Sequence, residues 1–219
     1  MQLWRVVPNT VTLQVMLSLL VVVWTALLLT GCQLPENLGD TSTMIHNRSV
    51  SDLNVKAKAL MEQGDAPGAI ARLESAYDLV PAPETLYNLA VAYQQVGNFD
   101  KAVAAFQKLL DAKSSQPLLS PFNLHRSLGI VLEAKADKLA TDLDTVMGDP
   151  KTQLKGEALP TQQALILDTY DQAIAHYQSA TSVVSSATDA SNAPAKAELE
   201  AQMKAITDKV KSLKEQFGV

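Results

Sequence analysis

One side chain in this chain of 219 residues stands out for its chemistry: Cys32, the only cysteine. A thiolate is the most readily alkylated nucleophile among side chains, forming a thioether. Cys32 closes the run Leu29-Thr30-Gly31-Cys32, where two small residues leave the backbone before the thiol open to approach. With a single cysteine, no disulfide can form within the chain. The histidines, His46, His125 and His176, show no metal-ligand spacing with one another or with Cys32. Asp142 and Asp144 are two apart, so on a helix they point to different sides and read as a solvated face. No Gly-rich phosphate loop, H-E-x-x-H or G-x-S-x-G stretch occurs. These residues predict no enzyme activity, no bound metal and no cofactor.

The segment before Cys32 explains its placement. Arg5 is the one charge in the first ten residues, and Val11 to Leu29 are apolar apart from Thr12, Gln14, Ser18 and Thr25. Leucine three residues before the cysteine, then two small residues, resembles the lipobox of bacterial lipoproteins. That resemblance implies recognition of Leu29, Thr30 and Gly31 by a signal peptidase, cleavage before Cys32, and a diacylglycerol on its sulfur. Residues 1–31 are then a signal peptide. The alternative is an uncleaved anchor, since about 20 apolar residues span a bilayer. Either way, the lone Arg5 ahead of the run places the body on the far side of the membrane. Gln33, rather than aspartate, after the cysteine implies the outer membrane, at its periplasmic face. Residues 33–49 carry Pro35, Gly39 and several polar residues, and read with Cys32 as a lipidated flexible tether over 32–49.

Beyond residue 49 the pattern is helical. Leu86, Leu89, Ala90 and Tyr93 form one stripe at i, i+3, i+4, i+7, and Phe99, Ala102, Phe106 and Leu109 form another after Gly97-Asn98. Helices this close in sequence must fold back on each other. A weaker copy precedes them, with Leu53, Ala57 and Leu60, a turn at Gly64-Asp65, then Ala69, Leu73, Ala76 and Pro81. Gly64 and Gly97 are 33 residues apart, as are Ala69 and Ala102. Lys56, where leucine is expected, turns the end repeat to solvent. Only 5% of residues are aromatic and no sustained period-2 run occurs, so the fold class is all-α.

The repeats resemble the tetratricopeptide repeat (TPR), a helical hairpin of roughly 34 residues. A third unit opens at Ser120-Pro121, with His125 in its tryptophan slot and Leu128, Gly129 and Leu132 following. Its second helix is delayed by an insertion of 32 residues and carries Ala173, Tyr177 and Ala180. The expectation is a TPR-type stack over 50–185, two regular repeats plus a third with extended helices. That third unit is a long hairpin, roughly 121–147 against 161–185, projecting beyond the stack. Ser185 to Asn192 read as a linker. A last helix over 193–217 then spaces Leu199, Met203, Ile206, Val210, Leu213 and Phe217 as a heptad seam. That seam either caps the open end of the stack or serves a partner; capping is the expectation.

Carrying the groove positions of the TPR onto this sequence implies a protein-binding surface. It comprises Asn54 and Lys58, then Glu84, Tyr87, Asn88, Val91, Gln94 and Gln95, then Asn123 and Arg126. The net charge of −5 lacks the basic footprint that nucleic acid requires. The partner implied is another protein or peptide segment, with the membrane engaged through the lipid. Similar architecture occurs in pilotins of type IV pili and in lipoproteins of the β-barrel assembly and cell-wall systems. The resemblance implies a lipid-anchored, extracytoplasmic adaptor in assembly of envelope, secretion or pilus machinery. The alternative is an envelope enzyme or solute-binding protein that uses the repeats as a frame. Cys32→Ser is expected to leave a larger, unprocessed precursor that takes no palmitate label. Equal migration of both forms, neither labelled, would favour the uncleaved anchor.

Overall fold

Two glycines set the hairpins. Gly64 and Gly97 adopt φ of 82° and 73°, a left-handed conformation that a side chain resists. At each, the backbone closes the preceding helix in the same way. Asp65 N–H donates to Leu60 C=O at 2.9 Å, and Asn98 N–H donates to Tyr93 C=O at 2.8 Å. The Asp65 carboxylate then caps the next helix by accepting from Gly68 N–H at 2.9 Å. Pro67 falls in that first turn, where a missing N–H is harmless.

The computed structural model describes residues 38–112, 119–148, 158–186 and 193–219. The chain divides into two units, Met1–Ile45 and His46–Val219, and the account below concerns the second. Seven helices run through the described residues: α1 Leu38–Glu62, α2 Ala66–Leu79, α3 Pro83–Gln95, α4 Phe99–Asp111, α5 Pro121–Gly148, α6 Ala158–Ser186 and α7 Ala193–Phe217. The fold is all-α, a TPR-type helical stack.

Small residues let the helices of each hairpin approach. Ala57 meets Ala69 and Leu73 in the α1–α2–α3 core, and Ala90 meets Ala102 and Phe106 in the α3–α4–α5 core. All six are at most 1% exposed. In the third pair Gly129 takes the small position, and Tyr177, fully buried, lies over it. A Cβ built on Gly129 would come within 2.6 Å of the Tyr177 ring, so the ring occupies the space a side chain would need. Ala173 and Ala180 flank Tyr177 and are themselves fully buried.

The third hairpin, α5 of 28 residues and α6 of 29, does not stand alone. Helix α7 lies along it. Leu199, Ile206 and Val210 are buried, and Met203, Leu213 and Phe217 pack beside them against the α5–α6 core. Arg126–Glu198, Asp137–Lys209 and Asp144–Gln216 all join residues 72 apart. That constant offset means α7 runs parallel to α5, the placement of a first helix in a further repeat. Its outward side is polar, with Lys204, Asp208 and Lys211 exposed.

Three boundaries depart from expectation. The tether expected over 32–49 is helical from Leu38, because residues 40–63 hold neither glycine nor proline and the first repeat's helix continues backward through them. Helix α6 starts at Ala158, ahead of Pro160, which a first turn accommodates. It also runs through Ser185 to Ser186; the rest of the expected linker, 187–192, lies outside the described residues. Deleting residues 193–219 should uncover Leu132, Ala136 and Tyr170, lower the melting temperature and promote aggregation. A truncated chain that stays soluble and equally stable would show that α7 is not a structural cap.

Candidate protein-binding cleft

Helices α1 and α3 are the first helices of successive repeats, with α2 behind them. Between them lies a cleft of about 390 Å³ lined by Asn54, Val55, Ala57, Lys58, Met61, Leu73, Asn88 and Val91. Ala57 and Leu73 are buried and form its floor. Met61 and Val91 are half-buried, while Val55 is 66% exposed. Asn88 and Lys58 stand exposed around this apolar surface. Apolar surface ringed by a few polar groups is how protein-binding surfaces are built.

Asn54 ties the two walls together. Its amide donates to Val50 C=O and to Thr85 Oγ1 on α3, both at 3.0 Å. Thr85 is fully buried, so this bond is the polar satisfaction of its hydroxyl within the α1–α3 interface. The Asn54 Oδ1 is also buried and has no partner. Asn54 therefore fixes the cleft's width rather than waiting at its surface.

Of the ten groove residues expected from sequence, the structure brings Asn54, Lys58, Asn88 and Val91 into this cleft. Tyr87 turns instead toward Phe106, edge to face with ring centroids 5.5 Å apart. Glu84 and Gln95 are exposed and Gln94 is half-buried on α3, outside the cleft lining. Asn123 sits in the first turn of α5, its N–H donating to the Ser120 hydroxyl at 3.3 Å. Arg126 is held by Glu198 of α7 at 2.7 Å, so the chain's own last helix takes up that position. Val55 and Met61 were missed. Both occupy groove positions of the first helix and were legible from the same register that gave Asn54 and Lys58. Leu29, Thr30, Gly31 and Cys32 lie outside the described residues.

Behind the cleft, tyrosines clip neighbouring helices. The Tyr93 hydroxyl on α3 donates to Glu74 of α2 at 2.6 Å, and Lys101 of α4 lies over its ring at 4.9 Å. Burial, then the bond to the Glu74 carboxylate, pushes the Tyr93 phenol up to about 12. Tyr170 repeats the device with Asp137 of α5 and Lys209 of α7. Tyr177 donates to Glu133 at 3.0 Å. Burial and the adjoining carboxylates raise both phenols as well. These tyrosines remain neutral donors at any physiological pH.

One contact escaped the sequence reading. His125 of α5 and His176 of α6 meet Nδ1 to Nδ1 at 3.0 Å. Among the described residues no group of three or more His, Cys, Asp or Glu is placed to hold a metal ion. No helix among them is long and apolar enough to cross a membrane.

Residues 54–117 match the family described as Tetratricopeptide repeat. That stretch is similar to tetratricopeptide repeats. The match spans α2 to α4 and the last turns of α1, from Asn54, and it stops before the third hairpin, whose insertion breaks the regular period. No curated protein and no solved structure matches the chain. Tetratricopeptide repeats suggest a scaffold for protein–protein interaction. Thr85→Val should cost about 1–3 kcal/mol, because it removes an acceptor from the Asn54 amide inside the interface. Adding Asn54→Val should recover part of that loss. Equal stability of Thr85→Val and the unaltered chain in urea denaturation would show that the bond does not hold the cleft.

Proposed function

We propose that the protein is a lipid-anchored scaffold on the extracytoplasmic side of a bacterial membrane, holding a segment of another protein in the α1–α3 cleft. The observation that carries this reading is the exposed Val55 beside Met61 and Val91, over the buried floor of Ala57 and Leu73. That surface stays apolar in water at a cost of about 25 cal/mol for each Å² left uncovered, which an occupying segment recovers. Lys58 is the one titratable side chain among the described lining residues, which favours holding over catalysis. Anchoring rests on Leu29-Thr30-Gly31-Cys32 and the apolar run before it, and the outer-membrane assignment on Gln33. The role in assembly of envelope, secretion or pilus machinery follows from that anchoring combined with a repeat scaffold.

The test is to place a photo-crosslinking amino acid at Asn88 and, as control, at Lys211 on the outer side of α7, in cells expressing the full chain. The Asn88 probe should yield a discrete adduct, and the Lys211 probe should not. Val91→Glu, combined with the Asn88 probe, should reduce that adduct at least tenfold by placing a charge against the apolar floor. Adducts of equal yield from both positions, insensitive to Val91→Glu, would remove the cleft as the binding site.

A further inference from the structure

The long hairpin contains a pair of groups that neither its core packing nor the cleft explains. His125 and His176 meet head-on, with Nδ1 atoms 3.0 Å apart and ring centroids 5.3 Å apart. One imidazole must carry its proton on Nδ1 and the other must present a lone pair there. Such a contact tolerates zero or one additional proton, since an imidazolium can still donate to a neutral partner. It does not tolerate two, because both nitrogens would then be cationic donors facing each other.

Position gives the contact leverage. His125 is one turn before Gly129 and His176 adjoins Tyr177, whose ring fills the space over that glycine. Arg126, next to His125, holds Glu198 in the first turns of α7. We propose that His125 and His176 form an acid-sensitive clasp between α5 and α6, closed while at least one imidazole is neutral and opened when both are cationic. Opening separates the two helices beside the Gly129–Tyr177 contact and loosens the hold of Arg126 on α7.

Most charged groups on the helices around the pair have partners of their own. On α5, Arg126 is tied to Glu198 of α7, and Glu133 accepts from Tyr177. On α6, Asp171 is exposed. On α7, Lys196 pairs with Glu200, and on α4, Lys108 lies over the Tyr77 ring while Asp111 accepts from Gln107. Burial lowers the proton affinity of both imidazoles from the ordinary 6.5, and His125 lowers that of His176 further. A base whose folded affinity is lowered supports the fold above its unfolded value and loses that support as pH falls below it. Each proton the folded pair excludes thus lowers the folding constant as pH falls below 6.5, until the folded pair binds it.

The experiment follows the full chain by NMR from pH 7.5 to 5, reading imidazole nitrogen shifts and amide exchange in α5 and α6. The expected result is two coupled proton uptakes, the second below 6.5. Exchange protection at the His125–His176 layer should fall as the second proton binds, after correction for intrinsic exchange. His176→Gln, which retains a hydrogen-bonding partner for His125, should hold that protection nearly constant over the same range. Independent titration of both imidazoles near 6.5, or equal loss of protection in the unaltered chain and His176→Gln, would overturn the clasp. If His176→Gln does not fold, the imidazole shifts of the unaltered chain decide alone.

Discussion

The closeness of paired helix backbones governs this structure. Ala57 and Ala69, Ala90 and Ala102, and Gly129 beneath Tyr177 are places where a larger side chain would push two helices apart. Dispersion falls off within an ångström, so a hairpin held slightly open forfeits much of its packing. Once each hairpin is closed, one face of its first helix remains apolar, and the next hairpin covers it. The three core clusters, linked through Tyr77, Tyr93 and Val103, are the result of that repeated covering.

The cleft is a consequence of the same stacking. First helices of successive repeats sit side by side, and the Asn54–Thr85 bond fixes their spacing at α1 and α3. Between α5 and the last helix the same kind of interface is closed by Arg126 and Glu198, with α7 in the place of a further first helix. The stack therefore offers its open surface at α1–α3, and closes its other end with a helix whose outer side is charged. Polar clips hold the layers in register: Tyr93 with Glu74 and Lys101, Tyr170 with Asp137 and Lys209.

What the sequence made legible follows from how local each signal is. The 33-residue spacing of Gly64 to Gly97 and Ala69 to Ala102 encodes hairpins that close over short turns, and these appear as read. The heptad of α7 was visible, but whether it served the stack or a partner depended on where the helix docks. Groove reading found Asn54, Lys58, Asn88 and Val91 yet passed over Val55 and Met61, because polar residues drew attention in a helix where apolar ones line the opening. The helical start at Leu38 was missed because Pro35 and Gly39 suggested a tether, while nothing between Asp40 and Gln63 could stop a helix. The His125–His176 contact could not be read at all. Its members are 51 residues apart, across an insertion that erases the repeat's normal offset.

A double-mutant cycle on Gly129 and Tyr177 tests the close-packing principle most directly, with stability read from urea denaturation of the full chain. Gly129→Ala in an open helix interior would stabilise by about 1 kcal/mol. With the Tyr177 ring 2.6 Å from the new Cβ, the account predicts destabilisation instead, by about 1–3 kcal/mol from overpacking. In a Tyr177→Leu background the same substitution should become neutral or stabilising, giving a coupling of 1 kcal/mol or more. A Gly129→Ala chain that is more stable than the parent, with effects that simply add to those of Tyr177→Leu, would contradict the account.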